Sequence, residues 1–575
     1  MQHAGIETDV AIIGGGPGGS TLASLILKYA PHRRVLVLEK EKFPRDHVGE
    51  SQLPAVAGII HEMGCWDQIE DAGFPLKVGA TYRWGTTEEL WDFDFIDPRE
   101  VERIDRPGRY EGPRRFTAFQ ADRARYDDIL LRHAEALGAA VMEESQVVKI
   151  HRDGDRVESL ELRDGRIVTA SYYIDASGHI GVLRRGMGVK TKAESSLRNI
   201  AMWDYWENAD WAAEIGVGGT RVQVMSQSGG WMWFIPLGPT RASIGFVCPV
   251  DHYKTSGLSA DALYRQAIAN DAHISSLIEH ATPRGTTKTT TDWSFTSERL
   301  YGDNWFLVGE AAGFADPILA AGLTITHAGA RELAYILNDL FDEPRDAEWL
   351  KASYADTQLR RIRQHIRFAD FWYAAKGRFE DLKEHCVRIA GASGVRMTPE
   401  AAWRWLAQGG FAHDGPGPPT TKTDAPPSLK QVLGKLTATK REWALETLNV
   451  LTLNLDDVDR EVLPVFVEGK VVREAHWVRG QDRLILTGHY GMLSEVLAEE
   501  SDLSKIVERI KRYCADGGGG RQPSLRQVME SLEAMLNERW VVGSYDTNKP
   551  CLALGRIEHD DQVHWNEAGA STHTV

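Results

Sequence analysis

A chain of 575 residues, 42% of them hydrophobic and 18 of them tryptophan, is too long for one small domain and too apolar for a disordered polymer. Its formal net charge of −16 argues against nucleic acid and against an anionic membrane surface as partners. The five scattered cysteines, Cys65, Cys248, Cys386, Cys514 and Cys551, suit a reducing cytosol better than a disulfide scaffold. There is no basic and apolar leader and no apolar run long enough to cross a bilayer, so a cytoplasmic protein without a membrane segment is expected.

The first predicted element is a strand at Val10-Ala11-Ile12-Ile13, which breaks into Gly14-Gly15-Gly16-Pro17-Gly18-Gly19 and a helix start. Gly14 permits the turn, Gly16 lets backbone approach a pyrophosphate, and Gly19 lets the helix pack on the strand. The helix start then offers N–H donors and a positive dipole end to phosphate. A second apolar run, Val35-Leu36-Val37-Leu38, ends in Glu39, about 20 residues past the last glycine, where a ribose-binding acid belongs. This predicts an α/β, Rossmann-type dinucleotide domain. The glycines alone do not separate FAD from NAD.

Next come Phe43-Pro44-Arg45-Asp46-His47-Val48-Gly49-Glu50-Ser51 and Gly73-Phe74-Pro75-Leu76-Lys77-Val78-Gly79-Ala80. Taken alone, Lys77 reads as a solvated lysine. Aromatic, strand-like segments over about 78–110 and 198–300 predict a substrate sheet inserted into the dinucleotide domain, with Met202-Trp203-Asp204-Tyr205-Trp206 as one strand. Within it, Trp231, Trp233 and Ile235 alternate and fill one face, which by default is a core face. Helical patterns follow over Thr324–Leu340 and Asp346–Phe371. The expected domains are residues 1–340, a helical region at 341–410, a Gly/Pro-rich linker at 411–427 and an α+β accessory domain at 428–575. The last opens with helical spacing at Leu429, Val432, Leu433 and Leu436 and has a hairpin candidate at Val465–Val472 turning at Glu468-Gly469. Amphipathic helices over Leu503–Tyr513 and Leu525–Leu536 then flank a joint at Gly517–Gly520. No His, Cys or carboxylate spacing makes a metal site.

Several motifs point beyond a generic dinucleotide. Gln120-Ala121-Asp122-Arg123, Asp175-Ala176-Ser177-Gly178 and Trp305-Phe306-Leu307-Val308-Gly309-Glu310-Ala311-Ala312-Gly313 resemble the flavin-binding motifs of the aromatic hydroxylase superfamily, with Glu310 where that family usually has Asp. Trp231-x-Trp233-x-Ile235-Pro236 is similar to the WxWxIP signature of flavin-dependent halogenases. Lys77 downstream of Pro44-Arg45-x-x-x-Gly49-Glu50-Ser51 resembles that family's catalytic lysine. Phe314-x-x-Pro317-x-x-Ala320-x-Gly322 is similar to its segment beside flavin and chloride, with Ala320 replacing a serine. The resemblance covers roughly residues 7 to 330.

The resemblance implies FAD, reduced by a separate flavin reductase, and chloride or bromide as co-substrate. Hypohalous acid would be handed to Lys77, with Glu50 as a second candidate catalytic residue. Cofactor contacts are expected from Gly14, Gly16, Gly19, Glu39, Arg45, Ser51, Arg123, Asp175, Glu310, Pro317 and Gly322. A halide would meet the backbone at Ala321 and Gly322, and Trp231, Trp233, Ile235 and Pro236 would wall a tunnel that excludes organic substrate from the flavin. His47 and His327 have no partner spacing, and Asp292 is a further acid near the late flavin motif. Tryptophan-type relatives place a Glu in the segment corresponding to Asp316–Gly322, which here has none, so a phenol or pyrrole is expected, free or tethered to a carrier protein. An acidic carrier would need a basic patch such as Arg360 to Arg367. The competing readings are an aromatic monooxygenase and a non-catalytic flavoprotein with a partner-binding tail.

Overall fold

In the computed structural model the described residues are 5–84, 90–95, 118–194, 198–212, 219–238, 240–291, 294–342, 344–374, 444–480, 482–516, 525–553 and 565–566. The linker at 411–427, the helical spacing from Leu429 to Leu436, the joint at Gly517–Gly520, Asp292, and the parts of 78–110 past 95 and of 341–410 past 374 lie outside them. The chain divides into two compact units, chiefly residues 1–385 and chiefly residues 415–575.

The strands of the first unit are, in chain order, β1 (Ile6–Ile13), β2 (Val35–Leu38), β3 (Leu76–Arg83), β4 (Trp91–Asp94), β5 (Ala118–Phe119), β6 (Ala140–Met142), β7 (Val147–Asp153), β8 (Arg156–Leu162), β9 (Ile167–Asp175), β10 (Thr191–Ala193), β11 (Asn199–Glu207), β12 (Gly219–Gln227), β13 (Gly230–Pro236), β14 (Arg241–Pro249), β15 (Thr282–Pro283), β16 (Lys288–Thr291), β17 (Phe295–Ser297) and β18 (Trp305–Leu307). The apolar runs of β1 and β2 pair in parallel, as continuous apolar strands buried on both faces do. They join a seven-stranded sheet of order β6-β2-β1-β9-β8-β7, with β18 beside the end of β9. Four of its strands stop in common register: Ile13 stands opposite both Leu38 and Asp175, and Asp175 opposite Leu307. The loops that follow therefore meet at one edge, where doubly wound sheets bind ligands.

Helix α1 (Pro17–Tyr29) leaves β1 through Gly14, whose φ of +110 only glycine adopts at little cost. Gly19 lies so close to the turn that a Cβ there would stand 2.0 Å from the Gly14 carbonyl oxygen. Helix Gly322–Asp342 packs against α1, and helix Ala347–Ala374 packs against it in turn, both close to the bounds expected from periodicity. A buried ion pair, Arg361 Nη2 to Glu332 Oε1 at 2.7 Å, joins them.

The second sheet of this unit has nine strands in the order β15-β11-β14-β13-β12-β3-β4, with β16 on β11 and β5 on β3. β10 and β17 form a small sheet apart, with Gly313–Phe314. The two faces of the large sheet carry different residues. Met232 and Phe234 turn to a core that includes Phe246, Ile244, Leu263 and Tyr264, contributed in part by the helices Ala260–Ala269 and Ala272–Leu277. Trp231, Trp233 and Ile235 take the opposite face, as strand alternation demands.

The second unit has a core of its own, with Leu445, Leu451, Leu484, Leu493 and Trp540. Helix Leu503–Asp516 gives that core Leu503, Ile506, Val507 and Ile510, an i, i+3, i+4, i+7 stripe. Strands Asp459–Val467 and Lys470–Arg479 form the expected hairpin, with Glu468 and Gly469 both at positive φ. That is the two-residue turn whose twist suits paired strands. The unit is α+β.

Gly19→Ala should lower stability by about 1–3 kcal/mol, the usual cost of forcing a methyl into packed backbone. Urea unfolding measures this, and an unchanged midpoint would contradict the contact between Gly19 and Gly14.

Candidate active site

The in-register strand ends gather Gly14–Gly19, Glu39, Ala176–Gly178 and Gly309–Gly313. Gly14 N–H donates to the Leu38 carbonyl at 2.8 Å, Ala176 N–H to Ile13 at 2.9 Å and Val308 N–H to Asp175 at 3.0 Å, so the loops are fastened to one another. Helix α1 begins at Pro17, and its cap residue, Gly16, supplies no side-chain acceptor to the first turn. The N-terminal amides and the positive dipole end are thus available to an anion. A Cβ on Gly16 would meet only the Arg45 Nη2, at 3.3 Å. Packing within the protein demands glycine at 14 and 19 but not at 16, which is the pattern expected if a ligand approaches the backbone there.

Glu39 is buried, with Oε2 accepting from Gly15 N–H at 2.7 Å and Oε1 from Glu41 N–H at 2.9 Å. The acid is thereby held against the glycine turn at the end of β2. Arg45 lies over the Phe43 ring at 4.7 Å and pairs with Glu41 at 3.3 Å and Asp127 at 3.4 Å. Arg123 is also buried. It grips Asp127 through Nε at 2.7 Å and Nη2 at 2.9 Å, and donates from Nη1 to the carbonyls of Val48 and Gly49 at 3.0 and 3.1 Å. It clamps the loop that leads to Glu50.

Both oxygens of Asp175 are occupied by the following turn. Oδ1 accepts from Ser177 N–H at 3.1 Å and from its hydroxyl, and Oδ2 accepts from Arg184 N–H at 2.8 Å. Its effect on a ligand runs through the turn it shapes. Glu310 lies beside that turn, 3.8 Å from a Cβ built on Gly178, and burial raises its carboxyl above the ordinary range. Ser51 Oγ and Thr324 Oγ1 are buried and make no hydrogen bond to the described residues. A glycine cradle, an acid at the ribose position and orphaned hydroxyls nearby fit a dinucleotide such as FAD.

Lys77 reaches the signature face through an irregularity in pairing. Along β3 and β12, Gly79 stands opposite Arg221, Ala80 opposite Val222 and Tyr82 opposite Val224. The register then shifts, and Lys77 stands opposite Thr220. Val224 in turn faces Trp233, so Thr220, two pairs of residues along, lies on the Trp233 face. Regular pairing would have put Lys77 opposite residue 219 and its side chain on the core face. The extra residue, Val78, re-aims it, which is what bulges do. Lys77 is 2% exposed, and its ammonium donates to the Gln52 carbonyl at 2.9 Å, with the Phe95 ring 5.3 Å away. Of its three N–H donors, one is thus bound to protein among the described residues. Burial pulls its pKa down to about 7.

Glu50 sits two residues before Gln52 on the same stretch. It is buried and accepts from the Tyr205 hydroxyl at 2.9 Å and from Gly49 N–H at 3.0 Å, and burial raises its carboxyl. Across the sheet, Trp231 and Trp233 have ring centroids 6.0 Å apart, and the Trp84 ring lies tilted 6.4 Å from Trp231. Gly245 opposite Trp233 makes room for its indole, since a Cβ there would lie 2.2 Å from the ring. Trp233 Nε1 donates to Ser243 Oγ at 3.2 Å. Ile235 and Pro236 end the same buried strand.

The segment from Asp316 to Gly322 makes one turn, Pro317–Leu319, and then Ala320 takes φ +56 in the left-handed region. The Ala320 N–H closes that turn on the Pro317 carbonyl at 2.9 Å, and the left-handed residue turns the chain so that the amides that follow, at Ala321 and Gly322, can face an anion. Ala321 is buried and Gly322 opens helix Gly322–Asp342, whose first amides also lack helical acceptors.

The role of one buried histidine escaped sequence reasoning. His327 is fully buried, with Nδ1 2.8 Å from the Thr21 hydroxyl and Nε2 2.9 Å from that of Tyr126. It ties helix Gly322–Asp342 to α1 and to helix Arg123–Ala136, and burial pulls its pKa to about 3. Of the arginines between 360 and 367, Arg361 is turned inward, while Arg363 and Arg367 are exposed. Arg361 is 1% exposed and paired to Glu332, and Arg363 pairs with Glu194 at 3.2 Å. Among the described residues no cluster of three metal-ligating side chains occurs, and no helix is long and apolar enough to cross a membrane.

Comparison with known proteins bears on this geometry. Residues 9–106 and 113–383 match the model of the family described as tryptophan halogenase. The 1H-pyrrole-2-carbonyl-(peptidyl-carrier protein) chlorinase of Pseudomonas fluorescens is 29% identical over 359 residues, spanning 60% of this chain and 79% of that protein. The solved structure of CndH, a myxobacterial chondrochloren halogenase, is 27% identical with a TM-score of 0.57, over 71% of this chain and 99% of the other. CmlS, a flavin-dependent halogenase, shares 22% identity and a TM-score of 0.70 over 95% of this chain and 97% of the other, a likeness of fold.

Gly16→Val should leave the thermal midpoint within a few degrees of wild type, since only the Arg45 side chain must yield. Bound FAD should be lost on gel filtration. Stoichiometric flavin in the purified variant would place the dinucleotide elsewhere.

Proposed function

The chain belongs to the tryptophan halogenase family, and from that premise we propose that this flavin-dependent halogenase chlorinates or brominates an electron-rich phenol or pyrrole ring through hypohalous acid delivered to Lys77. FAD would be held by the glycine turn at Gly14–Gly19, by Glu39, and by the loops carrying Arg45, Ser51, Glu310 and Pro317. Reduced FAD with oxygen supplies the oxidising equivalents that convert halide to hypohalous acid. A separate reductase is our reading for its supply, because the sequence has a single glycine fingerprint.

The backbone at Ala321 and Gly322 suits the halide, which its amides would hold without a counter-charge. The aromatic wall of Trp84, Trp231 and Trp233 leaves room for a small oxidant and keeps an organic ring back, a specificity made by exclusion. Lys77 then hydrogen-bonds the oxygen of hypohalous acid and polarises its bond to halogen. As ring carbon attacks the halogen, that bond breaks, and the leaving oxygen takes the ammonium proton and departs as water. The ring proton passes to a base, for which Glu50 is our candidate. The sum is arene plus hypohalous acid giving haloarene plus water.

The observation that carries this reading is the placement of a buried lysine, with donors to spare, on the face shared by Trp231, Trp233 and Ile235. A carrier-tethered pyrrole is favoured by the name of the pyrrole-2-carbonyl chlorinase relative. We assign the second unit no part in the redox step, since its core is built separately and bears no glycine fingerprint.

Lys77→Ala should cut halogenated product by more than about 10²-fold, the scale of a lost general acid, while FAD binding persists. Mass spectrometry of reactions with reduced FAD, oxygen and bromide reads this, and wild-type product from the variant would remove Lys77 from catalysis. A gain of oxygen rather than halogen in the wild-type product would select the monooxygenase reading.

The pH profile supplies a further check. The folded pKa of Lys77 lies near 7, below the ordinary lysine value, so the ammonium is present below pH 7 and lost as pH rises through it. Halogenation kcat/KM should fall about tenfold per pH unit above that point. A flat profile to pH 9 would contradict the role of the ammonium.

A further inference from the structure

Asp316 begins the loop assigned to the halide, and its carboxyl has no role in the mechanism above. It is 3% exposed. Its Oδ1 accepts from Ile318 N–H at 2.9 Å, which closes the Pro317–Leu319 turn, and from the Tyr373 hydroxyl at 3.0 Å. The Tyr373 oxygen in turn accepts from Trp231 Nε1 at 2.8 Å, and the Tyr373 ring stands 6.0 Å from that of Trp84. Three elements far apart in sequence thus share one line of hydrogen bonds: β13, the end of helix Ala347–Ala374 and the loop before helix Gly322–Asp342. The second oxygen, Oδ2, is buried, and the side-chain amide of Asn199 lies close enough to favour the charged carboxylate. Burial pushes the carboxyl up to about 6.

We propose that Asp316 and Tyr373 are positioning residues that brace the halide loop against the signature tryptophan, so that the amides of Ala321 and Gly322 are held in place for the anion. The proposal rests on the halogenase reading for the identity of the anion. Its physical basis is local. A nest binds an anion only while its amides converge, and Ala320 holds a left-handed conformation that a residue with a Cβ leaves readily. The turn closed by Asp316 fixes the backbone on one side of Ala320. Helix Gly322–Asp342 fixes the other. Tyr373 then couples this loop to Trp231, so that the anion site and the wall in front of it keep one spacing. Substitution at 373 would therefore reach the halide without touching it.

The test titrates bromide into FAD-loaded full-length protein and follows the flavin absorbance, which reads halide binding without turnover. Tyr373→Phe keeps the ring and removes both hydrogen bonds; it should weaken bromide about fivefold or more, as for loss of one net hydrogen bond, with FAD affinity unchanged. Asp316→Ala should do the same. Asp316→Asn keeps an oxygen to accept from Ile318 and Tyr373 and should restore binding to near the wild-type value. Wild-type bromide affinity in both Tyr373→Phe and Asp316→Ala would overturn the brace, as would a parallel loss of FAD and bromide affinity, which marks general loosening. Absence of saturable bromide binding by the wild type would overturn it as well. The halogenase reading fails separately: a wild type that binds bromide yet makes no halogenated product refutes that function, and the variants still decide the brace.

Discussion

The site depends on a coincidence of strand ends. β1, β2, β9 and β18 are parallel and stop within one residue row, so the backbone that leaves each of them emerges at the same edge. Parallel pairing makes this possible because every strand points its carboxyl end the same way. Segments separated by up to about three hundred residues then lie within hydrogen-bonding distance, as Val308 does from Asp175 and His327 from Thr21. Without common register, the glycine turn, the Asp175 turn and the Gly309 turn would each be an ordinary surface loop.

A second constraint is the division of labour between the faces of the large sheet. One face is core, filled by Met232, Phe234 and their neighbours, and its burial is what holds the sheet to its helices. The other face is polar where it has to be and aromatic elsewhere. Three buried groups near this side, Lys77, Glu50 and Asp316, are each shifted toward their neutral form by burial. Groups of this kind are costly in a structural core and commonplace in a reaction chamber. The neutral tie at His327 shows the contrasting case, a buried polar residue whose two nitrogens are both satisfied and whose charge is far from any working pH.

Local pattern carried the sequence reading where the pattern was periodic. The glycine turn, the alternation of Trp231, Trp233 and Ile235, the helices after Gly322 and the Glu468-Gly469 hairpin could all be read from spacing. What spacing could not convey was pairing. The acid at 39 belongs beside the glycines, yet nothing local says that its two oxygens grip Gly15 and Glu41. Arg360 to Arg367 looks basic in one dimension, but a helix turns 100° per residue, and Arg361 falls on the inner face with Ile362 and His365. Asp175 looks like a ligand and is occupied by its own turn. Tyr373 carries no motif, and its partners are 57 and 142 residues away.

The bulge at Val78 carries a consequence for how this enzyme can vary. Lys77 takes the face of Trp233 because Val78 is one residue more than β12 has between Thr220 and Arg221. Substitutions along the strand leave that parity untouched, although its residues from Leu76 to Tyr82 are buried and packing limits their size. A single insertion or deletion between Lys77 and Gly79 reverses it and sends the lysine into the hydrophobic layer behind the sheet. The placement of Lys77 is therefore stored in a residue count as much as in any one side chain.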